Sequence, residues 1–223
     1  MRQQALDLPV EPRYGRADFL VSDSNRAAFD WIERWPDWPV RALVLYGPSR
    51  SGKTHLAHLW RARADATLIA GEALTKPEEL SGAVAVDNAE RTAERPLLHL
   101  YNLCREQARG LLLTMAAPPA THPIALADLG SRLRALPVVG IAPPDDGLLA
   151  AVLLKHFADR QIHVSPGVVA YLVPRIERSF AAAASVAGAL DRRALAAGRP
   201  VTVKLARAVL AGQSTPPNDF TVT

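Results

Sequence analysis

Short apolar runs and amphipathic stretches alternate through the first two thirds of the chain. The runs cover residues 43–46, 66–70, 82–86, 110–114 and 137–141, each the length of a strand buried on both faces. Between them, residues 53–64, 96–109 and 127–135 carry apolar positions at helical spacing. An earlier helix is predicted over 26–34, with Ser24-Asn25 as its cap and Pro36 as its stop. The alternation predicts an α/β fold, with a parallel sheet covered by helices on both faces.

The pattern changes after Pro143-Pro144, and from there only helices are predicted. Asp145 and Asp146 cap a helix over 147–160. Ser165-Pro166 opens one over 167–173, with proline at the first helical position. Ser179 opens an alanine-rich helix that Gly198 stops, and Thr202 caps a last one over 203–211. The chain thus divides into a tail at 1–13, an α/β domain at 14–143, a small helical domain at 144–212 and a second tail at 213–223.

One stretch in this frame carries chemistry outright. Gly47-Pro48-Ser49-Arg50-Ser51-Gly52-Lys53-Thr54 reads G-x-x-x-x-G-K-T between a predicted strand and a predicted helix. Such a turn aims backbone N–H groups and the positive end of a helix at one point, where phosphate binds. Lys53 would reach the terminal phosphates of ADP or ATP, and the Thr54 hydroxyl would hold Mg²⁺. Asp87 closes the apolar run at 82–86 and is placed to hold the same Mg²⁺, directly or through water.

Three further residues bear on what such a site does. Asn88 follows Asp87 where vigorous ATPases usually place a carboxylate. An amide holds a water but does not take its proton, so binding with weak self-hydrolysis is expected. Glu90 either compensates in part or is a helix-start acid. Thr114, at the end of its strand, either faces the γ-phosphate or is a threonine with a satisfied hydroxyl. Arg132 stands among apolar residues on a short predicted helix. It either projects into a neighbour's nucleotide site or snorkels at the surface.

Composition narrows the setting. With 49% hydrophobic residues in 223, the chain can bury a sizeable core. A net charge of +4 permits contact with nucleic acid or an acidic protein and requires neither. Cys104 is the sole cysteine, which excludes an internal disulfide and makes a cytoplasmic location the expectation. It shares an apolar face with Leu100 and Leu103, as a small core residue does. No run is long enough to span a bilayer, the polar N-terminus is unlike a signal peptide, and no zinc-type Cys/His spacing occurs.

Together these motifs resemble the AAA+ family, and within it the nucleotide-binding domain of the replication initiator DnaA. Asp18-Phe19-Leu20-Val21 followed by Ser24-Asn25 is similar to the segment that packs on adenine in that group, which implies nucleotide contacts for Phe19 and Val21. Asp128-Leu129-Gly130-Ser131-Arg132-Leu133 is similar to its D-L-x-S-R-L box, which makes Arg132 an arginine finger offered in trans. The likeness runs from about Phe19 to Leu210. The tail Gln3-Gln4-Ala5-Leu6-Asp7-Leu8-Pro9 resembles a Q-x-x-L-x-[FL] peptide that binds the sliding clamp, the beta subunit of DNA polymerase III. Gln3 would bond at the rim of a groove, Leu6 and Leu8 would fill an apolar pocket, and Pro9 would keep the segment extended.

A clamp peptide ahead of a DnaA-like domain is the layout of the Hda-type regulatory inactivators of DnaA. That resemblance implies partners (the clamp and DnaA), promotion of hydrolysis of DnaA-bound ATP, and negative control of replication initiation. It also implies ADP or ATP in the chain's own site, and it leaves a homodimer open. With no helix-turn-helix domain after the helical lid, sequence-specific duplex binding is not expected. One departure stands out. The lid helix of the family carries a sensor arginine, whereas residues 178–184 here read Arg-Ser-Phe-Ala-Ala-Ala-Ala, with Arg175 and Arg178 about a turn too early. Weaker preference for ATP is therefore expected. Two other classes compete: an autonomous AAA+ ATPase of the helicase-loader type, and a small-molecule kinase, which the apolar lid disfavours.

Overall fold

The protein is described by a computed structural model over residues 14–213. Five strands, β1 (Ala42–Tyr46), β2 (Thr67–Ala70), β3 (Val84–Asp87), β4 (Leu111–Met115) and β5 (Val138–Gly140), form one sheet in the order β2-β3-β4-β1-β5. Every neighbouring pair is parallel. β1 lies between β4 and β5, with Leu43 beside Leu112 and Val44 beside Val138.

Side chains leave a strand alternately to its two faces, and here both faces are covered. Leu43, Leu45, Ala85, Leu112 and Val139 pack under α1 (Arg26–Glu33) and α2 (Lys53–Ala64). Ala42, Val44, Val84, Val86, Leu111 and Leu113 pack under α3 (Glu94–Glu106) and α4 (Ala127–Arg134). This is why the strands read as unbroken apolar runs rather than alternating ones. Cys104 is buried in the second layer, and burial pushes its thiol up to about 11, so it is a core residue and not a nucleophile.

The lid is built from α5 (Asp146–Asp159), α6 (Pro166–Leu172), α7 (Phe180–Ala197) and α8 (Val203–Gln213) around a separate core that includes Leu149, Leu153, Phe157, Leu172, Val186 and Leu190. Its caps follow the sequence. Leu148 N–H donates to Asp145 Oδ1 at 2.7 Å, and this bond holds the Asp145 carboxyl below its usual range. Ala182 N–H donates to Ser179 Oγ at 3.1 Å, and Leu205 N–H to Thr202 Oγ1 at 3.3 Å. Gly198 ends α7 at φ 58°, a left-handed turn that glycine enters without strain.

Three local expectations change. Asn25 holds the cap position of α1 but does not cap it. Its buried side chain accepts Ser22 N–H at 2.9 Å and donates to Leu20 O at 2.9 Å, tying down the segment that leads into the sheet. Ser165 makes no side-chain cap bond, and proline at the first turn of α6 serves instead. α3 starts at Glu94, two residues before the expected start. The Glu94 carboxylate accepts the Ala125 and Leu126 N–H groups at 2.8 and 2.6 Å, pinning the approach to α4. Among the described residues no helix is long and apolar enough to cross a membrane.

Candidate nucleotide-binding site

β1 ends at Tyr46, and the chain turns through Gly47–Gly52 into α2. Two glycines make that turn possible. A Cβ on Gly47 would lie 2.6 Å from Ile141 O, and Gly52 sits at φ 100°, a conformation that L side chains rarely adopt. Lys53 begins α2 and is buried, with Nζ donating to Gly47 O at 2.7 Å and Pro48 O at 2.8 Å. Burial lowers its pKa, and the Glu90 and Asp87 carboxylates oppose that shift. The ammonium thus folds back onto the carbonyls of its own loop. Ser51 Oγ is buried beneath the turn without a partner among the described residues.

Thr54 follows on the first turn of α2, and its hydroxyl donates to Asp87 Oδ2 at 2.9 Å. The two oxygens stand together where the sequence placed a Mg²⁺ site. Hard oxygen donors, with water and phosphate completing the shell, are the set this ion takes, so the residues present fit it. Asp87 is held on its other side by Thr114, whose hydroxyl donates to Oδ1 at 2.6 Å and accepts Asn88 N–H at 2.8 Å. Thr114 is fully buried. Its hydroxyl buttresses Asp87, the satisfied-threonine alternative of the two that the sequence offered.

Asn88 occupies the left-handed region at φ 56°, which asparagine tolerates, and its side-chain amide points to Asp87 Oδ2 at 3.4 Å. Glu90 accepts Ala116 N–H on Oε1 at 3.0 Å, while its Oε2 is buried without a partner among the described residues.

The lead-in segment reaches the same place. Phe19 is buried, stacks on Phe29 with centroids 5.7 Å apart and meets His55 edge-on at 5.1 Å. Its ring lies 3.4 Å from where a Gly52 Cβ would be, and the Phe180 ring lies 3.7 Å from that point. Val21 packs half-buried on the same core. Ser49 and Arg50 line a cleft of about 590 Å³ together with Arg175, Ser179, Ala181 and Ala182 of the lid. The lid arginines Arg175 and Arg178 are engaged within the lid. Arg175 lies 4.1 Å over the Tyr171 ring and donates to Tyr171 O, and Arg178 pairs with Asp146 at 2.8 Å.

Arg132 is not part of this site. It lines a separate cavity of about 680 Å³ with Ala42 and Leu111, the first residues of β1 and β4, while the phosphate loop leaves the opposite end of β1. Its Nε donates to Asp128 Oδ1 at 2.9 Å and its guanidinium stands 5.6 Å from the Tyr101 ring centroid. The terminal nitrogens of this guanidinium have no hydrogen-bond partner among the described residues. Gln3, Leu6, Leu8 and Pro9 lie outside the described residues.

Sequence reasoning missed the links that hold the lead-in segment. Asp18 pairs with Lys155 of α5, 137 residues away, and Tyr14 stacks on His58 at 3.9 Å. No local pattern encodes contacts of that span.

No protein-family model matches the chain. A crystal structure of domain III of the Thermotoga maritima replication initiator DnaA superposes with a TM-score of 0.77 at 16% identity, covering 94% of this chain and all of that one. The fold is that of the AAA+ domain of DnaA. In sequence, DnaA of Chloroflexus aggregans is 25% identical over 236 residues, covering 91% of this chain and 49% of its own length. The chain therefore spans about half the length of the curated relatives it matches. AMPPCP-bound DnaA from Aquifex aeolicus is similar over 75% of this chain and 62% of that one, with a TM-score of 0.64 and 15% identity.

Proposed function

We propose that this chain is a nucleotide-binding regulator that acts on a DnaA-type initiator and holds replication initiation in check. The observation that supports this reading best is the bonded set Thr54–Asp87–Thr114 beside Asn88. The means to hold a nucleotide and its cation are present, and the position for a water-activating carboxylate is filled by an amide. In this reading ADP or ATP sits on the loop from Gly47 to Thr54, with Phe19 and Val21 toward its base. Mg²⁺ on Thr54 and Asp87 would neutralise charge between the phosphates.

The chain's effect then falls on a partner. Asp128 and Tyr101 steady Arg132 and leave its outer nitrogens free to meet a phosphate. Offered to ATP on DnaA, that guanidinium would stabilise the charge of the transferring phosphoryl group. The segment Gln3, Leu6, Leu8 and Pro9 would anchor the chain on the sliding clamp. The test is recovery of purified clamp on the immobilised protein, compared with a Gln3→Ala/Leu6→Ala/Leu8→Ala variant, alongside fluorescent ADP binding with Lys53→Ala. Loss of clamp in the first variant and of nucleotide in the second supports the reading, and equal recovery of clamp removes the tether.

A second reading is an autonomous AAA+ ATPase of the helicase-loader type. The buried, unpartnered Oε2 of Glu90 favours it, since a carboxylate beside the loop can accept a proton. Steady turnover by the chain alone, abolished in Glu90→Gln, would select that reading.

A further inference from the structure

The chain's positive charge is not spread evenly. Residues 144–213 hold nine Lys and Arg against five Asp and Glu, whereas the whole chain holds 26 against 22. The net excess of four thus falls entirely in the lid. Within the lid it concentrates again: Arg192, Arg193, Arg199, Lys204 and Arg207 lie in a span, 192–213, that contains no acid.

These five residues lie on the end of α7, the turn after it and α8, which pack together, with the Arg207 guanidinium 6.0 Å from the Tyr171 ring centroid. Arg193 Nη1 donates to Ala208 O at 3.1 Å, so the exposed strip at the end of α7 adjoins the exposed strip of α8. Arg192, Arg193, Arg199, Lys204 and Arg207 are all exposed. Arg192, Arg199 and Lys204 have neither an ion-pair nor a hydrogen-bond partner among the described residues. Between the cations lie Ala197, Ala208, Ala211 and Gly212, all exposed, so the surface stays low and a charged rod can approach it closely. Unpaired cations on such a ground keep their full charge for an outside partner.

We propose that this face of the lid binds the phosphate backbone of nucleic acid, without regard to sequence. Lysine and arginine at the surface release counterions from a phosphate chain, and that supplies affinity without base contacts. A lipid surface would attract the same charge, but it also calls for an apolar face, and alanine and glycine supply little. The proposal is independent of the nucleotide site.

Anisotropy of a labelled 24-base-pair duplex of arbitrary sequence, and of a 24-nucleotide single strand, read against the full chain from 50 to 200 mM salt, tests it. Five phosphate contacts predict a slope of log affinity on log salt of about −4.5 on the duplex, or about 500-fold weakening across that range, and about −3.5 on the single strand. Arg192→Ala/Arg199→Ala/Lys204→Ala removes three of them, and its duplex slope should fall to about −2, with much weaker binding at 50 mM. Arg26→Ala/Arg95→Ala, on the α/β domain, should keep the original slope. The Gln versions of the triple variant, with circular dichroism on each, guard against a folding artefact. A triple variant with the parent's slope, a parent slope shallower than −1, or binding to phosphatidylglycerol vesicles but to neither nucleic acid, overturns the proposal.

Discussion

Thr114 and Asp87 share a 2.6 Å hydrogen bond at the C-terminal ends of β4 and β3, and it fixes the carboxylate that faces Thr54. The same hydroxyl accepts the Asn88 N–H, so one buried side chain sets both the Asp87 carboxylate and the turn that follows it. Groups that orient a ligand in this way matter for the ion although they do not touch it. Thr114→Val keeps the shape and removes the hydroxyl. Mg²⁺-dependent nucleotide affinity should fall about 10–100-fold, with EDTA-resistant binding much less affected. Stability should drop by about 1–3 kcal/mol, because the Asn88 N–H loses its acceptor inside the protein. Fluorescent-nucleotide titrations with and without EDTA, and denaturant melts, measure the two effects.

Asn88 tests the account of slow turnover from the other side. Asn88→Asp supplies an acceptor at a left-handed position that aspartate also tolerates. The chain's own ATP hydrolysis should rise at least several-fold, with nucleotide affinity kept within a few-fold. Unchanged turnover in a phosphate-release assay would show that the amide is not what limits it.

The alanine patch facing the phosphate loop predicts a gain from an added charge. Ala182 lines the cleft with Ser49 and Arg50, and the nearby lid arginines are engaged with Tyr171 and Asp146. Ala182→Arg should shift the ratio of ATP to ADP affinity toward ATP by several-fold, since an added cation favours the extra phosphate. Competition titrations of the two nucleotides read the ratio directly.

The histidines on α2 give the fold a pH dependence. Burial lowers the pKa of His55 and His58 from the ordinary 6.5, although His55 also bonds Gly15 O and lies near Asp18, and His58 stacks on Tyr14. Between the lowered value and 6.5 the folded form keeps these rings neutral while the unfolded chain takes up protons. Stability is then fully present above pH 6.5 and falls as the solution is acidified through that window. His55→Gln should flatten the melting temperature between pH 7 and 5.5.

Much of this architecture is legible in the sequence, for reasons specific to it. A strand covered on both faces must be apolar throughout, so β1, β3 and β4 announce themselves, and Ser179 and Gly198 mark the ends of α7 through local backbone chemistry. The phosphate loop is legible because its spacing is the mechanism. What stayed hidden depends on contacts distant along the chain. Thr114 reads as a strand end until Asp87 is seen 27 residues back. Asn25 reads as a cap until its amide is found holding Leu20 and Ser22. The Asp18–Lys155 pair joins the lead-in segment to the lid with no local signal at either end.

The most direct measurement is ATP hydrolysis by DnaA on clamp-loaded DNA, with this protein, without it, and with Arg132→Ala. The account predicts stimulation that requires both the clamp and Arg132, with the variant folded and still binding nucleotide. Stimulation that survives Arg132→Ala, or no stimulation at all, would contradict it.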